Sequence, residues 1–281
     1  MLSLGEDQAA GLRRIFSRIQ EPATISFTGT SGRNAIVAGM ARGLAALGKE
    51  VIIVDEHPGP DSVAAAFGIA ARFDLMQAVN CDVPPNQVLL RAEPAIRIIP
   101  AARAARESVR LDAMQRRAVA EWLRRLQKGV DFVLVDSAGH AKGVSLLQPP
   151  PSRVVIVVTA NSLGITDAYT QIKRLAQATE GRSFEVIVAR AASRAAGETA
   201  FANMRDVARR HLGVKLSLMG CLPAQVAPAT ASQALAEVLL HPAQAGQVKQ
   251  VEPLEQGRAR AARFLNFGHG MRSTPVADPV V

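Results

Sequence analysis

The two cysteines, Cys81 and Cys221, lie far apart without CxxC spacing, and the five histidines do not cluster. Neither a disulfide framework nor a structural zinc site follows from such a pattern. Aromatic residues make up only 4% of the chain, with one tryptophan and one tyrosine. The base-stacking platforms that hold single-stranded nucleic acid are therefore poorly represented, and no specific nucleic acid is expected as a partner. No uninterrupted apolar run approaches membrane-spanning length, and the first residues are polar and acidic rather than basic and then apolar. The expectation is a cytoplasmic protein, neither secreted nor transmembrane.

What is present is apolar and basic. With 281 residues, 48% of them hydrophobic, the chain is long enough for one large domain or two small ones with a well-buried core. The net charge of +9, mostly from arginine, favours an anionic contact such as a membrane surface or nucleic acid. A dense part of it, Arg103, Arg106, Arg110, Arg116, Arg117, Arg124, Arg125 and Lys128, flanks an amphipathic helix ending near Trp122 to Leu126. The ordinary reading of that pattern is a solvated helix face.

Nearly continuous β-branched runs recur at 24–27, 51–54, 96–99, 132–135, 154–159 and 185–188, as strands buried on both faces require. Between the first two, Ile36, Val37, Met40, Leu44 and Leu47 share a helical face and Gly48 stops the helix. That is a βαβ unit. Its repetition to about residue 220 predicts an α/β three-layer sandwich around a mainly parallel sheet. Residues 6–19 read as a short amphipathic helix ended at Glu21-Pro22. Residues 251–281 read as an amphipathic segment, with Leu254, Phe264, Leu265 and Phe267 beside Arg258, Arg260, Arg263 and Arg272, and a tail. The domain reading is thus 1–20, 21–250 and 251–281.

In an open parallel sheet ligands bind at the carboxyl ends of the strands. The first such segment, Thr28-Gly29-Thr30-Ser31-Gly32-Arg33-Asn34, has the position and flexibility to cradle phosphate with backbone N–H groups at a helix N-terminus; a plain strand-to-helix turn is the alternative. It misses GxxxxGK[ST], because Phe27 stands at the first glycine and Arg33-Asn34 at Lys-Ser or Lys-Thr. The Arg33 fork does not reproduce a lysine point charge, and the Asn34 amide stands where a hydroxyl holds magnesium. Asp55 and Asp136 close apolar strands, where an aspartate holds magnesium or caps the following turn. Asp136 is the better candidate. His57 and His140 lack partners at triad or ligand spacing and read as loop residues, so no catalytic residue is assigned.

The run from Thr24 to Ile69, with "ALGKEVIIVD", "PG" and "FGI", resembles the MinD, ParA and FlhG group of P-loop ATPases, as do "IRIIPA", "DFVLVDSAG" and "VVTANSLGITDAYTQIKRL". Ile165, Thr166, Asp167, Ala168, Tyr169, Ile172 and Lys173 look especially like FlhG, also called FleN, the flagellar number regulators. The N-terminal "DQAAGLRR" matches their DQAxxLR segment at Asp7, Gln8, Ala9, Leu12 and Arg13, which implies an FlhF-like GTPase as partner. "HLGVKLSLMGCLP" corresponds to the family's late strand and nucleotide-side loop, with Pro223 as a nucleotide-binding candidate. The likeness covers about residues 6 to 245.

The resemblance implies ATP and Mg2+ as cofactors, held by Gly29, Thr30, Ser31, Gly32, Arg33, Asn34 and Pro223 for nucleotide and by Asn34, Asp55 and Asp136 for metal. It also implies homodimerisation, a flagellar transcription regulator as a second partner, and peripheral contact with the inner face of the cell membrane. The departures are specific. The family loop KGGVGKT is replaced at both lysines, by Thr28 and Arg33, and the family's DADxG reads Asp55-Glu56-His57-Pro58-Gly59. Three such changes at one site predict weak or absent hydrolysis and a regulator that works through protein contacts. The alternatives are a slow MinD- or ParA-type ATPase in membrane-site or partitioning roles, and a cellulose-secretion accessory.

Overall fold

The computed structural model describes residues 21–30, 32–139, 145, 147, 153–178 and 183–240. The readings on 1–20, Ser31, His140 and 251–281 lie outside these residues. The chain divides into two compact units, 1–248 and 249–281, and every described residue belongs to the first.

The expected strands are all present: β1 (Ala23–Gly29), β2 (Val51–Asp55), β4 (Ile96–Pro100), β5 (Phe132–Asp136), β6 (Arg153–Thr159) and β7 (Ser183–Ala191). β8 (Lys215–Pro223) lies in the late segment where the family resemblance places a strand. The structure adds β3 (Leu90–Glu93), which pairs antiparallel with β4. The sheet order is β3-β4-β2-β5-β1-β6-β7-β8, and every other neighbouring pair is parallel. β3 escapes a periodicity search because it is short, carries Arg91 and Glu93, and buries no residue fully. A single partially covered edge strand shows neither a continuous apolar run nor clean alternation.

Both faces of the sheet are covered, and the apolar runs divide by the period of two that a pleated strand imposes. Val51 and Ile53 pack with Ile25, Phe27, Ile36, Met40 and Leu44 on one side. Ile52 and Val54 pack with Val133, Val135 and Leu123 on the other. Further along, Ile156 and Val158 join Ile172, Phe201 and Met204. Each aliphatic side chain removed from water in this way contributes about 1.5–3 kcal/mol.

The first face is filled by α1 (Arg33–Ala46), which Gly48 ends in the left-handed region at φ 74°. α1 carries Gly39 and Gly43 toward α8 (Pro228–Gln233), and a Cβ on Gly39 would lie 2.0 Å from the Ala229 carbonyl oxygen. The opposite face is covered by α3 (Leu75–Val79), α4 (Ala102–Glu107) and α5 (Ala113–Leu126), after the single turn α2 (Val63–Ala66). α6 (Ser162–Ala178) and α7 (Arg194–Leu212) cover the β6–β8 half, and α9 (Ala236–Leu240) follows α8. Arg103 and Arg106 fall on α4 rather than on the amphipathic helix α5, and the whole set from Arg103 to Lys128 is exposed. The solvated-face reading is the one the fold supports. Among the described residues no helix is long and apolar enough to cross a membrane.

Candidate functional site

β1 and β5 are hydrogen-bonded neighbours at the middle of the sheet, so the loop after β1 and the residues after β5 face each other. Gly29 has φ 125°, and a Cβ there would lie 2.0 Å from the Val157 carbonyl oxygen, so only glycine fits. The Thr30 N–H donates to that same oxygen at 3.0 Å. Gly32 takes the left-handed conformation and starts α1 without a side-chain cap. Thr28 is buried, and its hydroxyl accepts from the Gln171 side-chain amide on α6.

Arg33 opens α1, yet its side chain turns inward and is only 8% exposed. Its Nε donates to Asp136 Oδ1, its Nη1 to the Gly29 carbonyl at 3.0 Å, and its Nη2 to the Ser137 carbonyl at 3.1 Å. Nη2 also meets the Nε2 of His57, which lies 3.1 Å from the Ser137 carbonyl. The positive group of the loop is thereby bound to the walls of its own cradle.

The other candidates are also engaged. Asn34 donates from Nδ2 to the carbonyls of Pro60 and Ser62, both at 3.3 Å, and accepts at Oδ1 from the Ala35 N–H at 2.9 Å. Asp55 accepts from the His57 N–H at 3.2 Å and the Ala64 N–H at 2.9 Å, which fixes the turn after β2. Burial, more than any neighbour, pushes its carboxyl up to about 7. Pro223 ends β8, with β6 and β7 between it and β1.

Glu56 was not among the residues the sequence singled out, yet it is 2% exposed at the same centre. It accepts from the Ala138 N–H at 3.0 Å and from the Ser145 hydroxyl, and burial lifts it to about 7. The available signal was a second acid directly after the aspartate of an apolar strand. Ser137 contributes through its carbonyl, which no side-chain pattern reveals. His57 belongs to the site through Arg33, although spacing alone made it a loop residue.

The candidate magnesium ligands are largely engaged within the protein. Asn34 faces the 60–62 turn, both Asp55 oxygens cap backbone N–H groups, and Arg33 holds one Asp136 oxygen. Of the oxygens of Asp55 and Asp136, the buried Asp136 Oδ2 has no hydrogen-bond partner among the described residues, and Mg2+ is ordinarily held by one or two carboxylates with water and phosphate oxygens completing the octahedron. Among the described residues no group of three or more His, Cys, Asp or Glu side chains is arranged to hold a metal.

No family model matches the chain. Over 206 residues it is 28% identical to the antiactivator FleN of Pseudomonas aeruginosa, covering 73% of this chain and 74% of that protein. Its fold matches the MinC:MinD cell division protein complex of Aquifex aeolicus with a TM-score of 0.55, covering 89% of this chain and 98% of that one at 21% identity. It also matches cobyrinic acid a,c-diamide synthase from Mycobacterium smegmatis, crystallised with bound ADP and magnesium, with a TM-score of 0.62 at 17% identity over 83% of this chain and 100% of that one. The chain is thus similar in sequence to FleN and has the fold of the MinD cell division protein.

Proposed function

We propose that the chain is a FleN-like regulator of flagellar number or placement that acts through protein partners, with ATP hydrolysis weak or absent. The carrying observation is the Arg33 side chain, which donates to Asp136 and to two carbonyls of its own cradle. A cation tied down in this way is not available to polarise a transferring phosphoryl group.

The name of the relative, an antiactivator, supports a transcription activator as one partner. The segment with Asp7, Gln8, Ala9, Leu12 and Arg13 is the proposed contact for an FlhF-like GTPase. The MinC:MinD neighbour supports protein assembly as the mode of action, with homodimerisation included. Residues 251–281 are the proposed contact with an anionic membrane surface, and a chain ending at Val251 should partition less onto anionic vesicles.

The test pairs two measurements. Removing residues 1–20 should abolish binding to the GTPase and stimulation of its turnover, and ATP turnover by the intact chain should equal a no-protein control. Unchanged GTPase binding after the deletion would overturn the partner assignment. Steady ATP turnover that disappears in Asp136→Asn would instead establish the slow ATPase.

A further inference from the structure

A cleft of about 650 Å3 opens at the carboxyl ends of β2 and β4, where Asp55 and Pro100 are register partners. It lies on the side of β2 away from β5 and β1, and it adjoins the loop at 28–34 through His57 and Ser62. Small residues of α2 and of the chain that follows it leave room there: Ala64, Ala65, Gly68, Ala70 and Ala71 all line the cleft. Ile69 and Phe73 add apolar surface. A cavity of this size and place is typical of small-molecule sites in open α/β sheets.

The polar groups that line the cleft are of one sign where they remain open. Two carboxylates border it, and both are occupied by backbone donors. Asp55 holds the N–H groups of His57 and Ala64, while Asp74 holds those of Met76, Arg103 and Ala104. Against them stand Arg72, Arg103 and Arg106. Arg103 shares an exposed pair with Glu107, and among the described residues no ion pair joins Arg72 or Arg106 to a carboxylate.

We propose that this cleft binds a small organic phosphate, with its uncharged body against the alanine, glycine and Phe73 wall and its phosphate groups on Arg72, Arg103 and Arg106. Guanidinium groups suit that role because their planar forks hold phosphate oxygens two at a time. Every carboxylate oxygen of Asp55 and Asp74 already accepts at least one backbone N–H. His57 lines the cleft and also touches Arg33, so an occupant would lie one side chain from the closed cradle.

The test uses the full chain with pyrophosphate, ADP and adenosine as probes, all without magnesium, read by titration calorimetry and by amide NMR shifts. ADP should bind, shifting Gly68 and Ala70 rather than Gly29 and Gly32. Replacing Arg72, Arg103 and Arg106 together by alanine should weaken it by about tenfold or more, the scale of 1.4 kcal/mol in charge-assisted contacts. The three side chains are exposed, so the variant should keep the wild-type melting temperature. Pyrophosphate binding at the same amides would identify the phosphate groups as the recognised part. The proposal is overturned if neither phosphate probe binds at millimolar concentration, if the arginine variant binds ADP unchanged, if adenosine binds as tightly as ADP, or if the shifts are confined to the 28–34 loop. The last outcome would leave the cleft unassigned and count against the closed cradle as well, whereas the other three would leave the regulator reading untouched.

Discussion

Arg33, at the first position of α1, donates its Nε–H to Oδ1 of Asp136 at the end of β5, and the two side chains are 8% and 1% exposed. The pair joins positions 103 residues apart. An ion pair this deep costs several kcal/mol in desolvation, which its attraction and its extra hydrogen bonds must offset.

Removing one partner should therefore be worse than removing both. Arg33→Ala should lower stability by about 3–5 kcal/mol, because Asp136 is left charged and buried. The double variant Arg33→Met with Asp136→Leu should regain much of that loss. Urea denaturation of the three proteins measures it. An Arg33→Ala variant no less stable than the exposed Arg125→Ala would show that the pair is not formed in solution.

Glu56 should give the protein a pH-dependent stability. Its carboxyl is lifted from 4.5 to about 7, chiefly by burial, so the folded chain holds that proton more tightly than the unfolded one. The stabilisation is complete below pH 4.5 and is lost as pH rises through about 7. Each such group gives a slope of up to about 1.4 kcal/mol per pH unit. Asp55 is lifted in the same direction. Glu56→Gln should accordingly reduce the slope, and denaturation midpoints at several pH values would reveal an unaltered slope if the assignment is wrong.

Gly39→Ala should destabilise the contact between α1 and α8. The new methyl would lie 2.0 Å from the Ala229 carbonyl oxygen and 2.2 Å from the Ser232 hydroxyl, so backbone must move. Overpacking of this kind costs about 1–3 kcal/mol, enough to lower the melting temperature by several degrees. An unchanged melting temperature would mean that the helices are further apart than described.

Asp74 caps α3 in a reciprocal capping box with Gln77 and also receives the Arg103 and Ala104 N–H groups at the start of α4. One carboxylate thus joins two short helices that border the cleft. Asp74→Ala should cost about 1–3 kcal/mol and increase amide exchange at both Met76 and Ala104. A change at Met76 alone would reduce Asp74 to an ordinary helix cap.

The sequence alone was enough for the sheet interior and for the position of the loop between β1 and α1. Val51 to Val54 is apolar at every position because alternate residues face two covered sides, and that leaves a mark in the residue order. The glycines at 29 and 32 do likewise, since a Cβ at Gly29 would meet the Val157 backbone and Gly32 sits in the left-handed region that favours glycine. β3 left no such mark, being a short and half-exposed edge. The engagement of Arg33 was decided only by the tertiary structure. Its partners come from β1, from the turn after β2 and from the end of β5, and a flexible side chain takes whichever acceptors the packed strands bring within reach. The cleft has the same origin: small residues at 64–71 make a void only because α3, α4 and the ends of β2 and β4 enclose it.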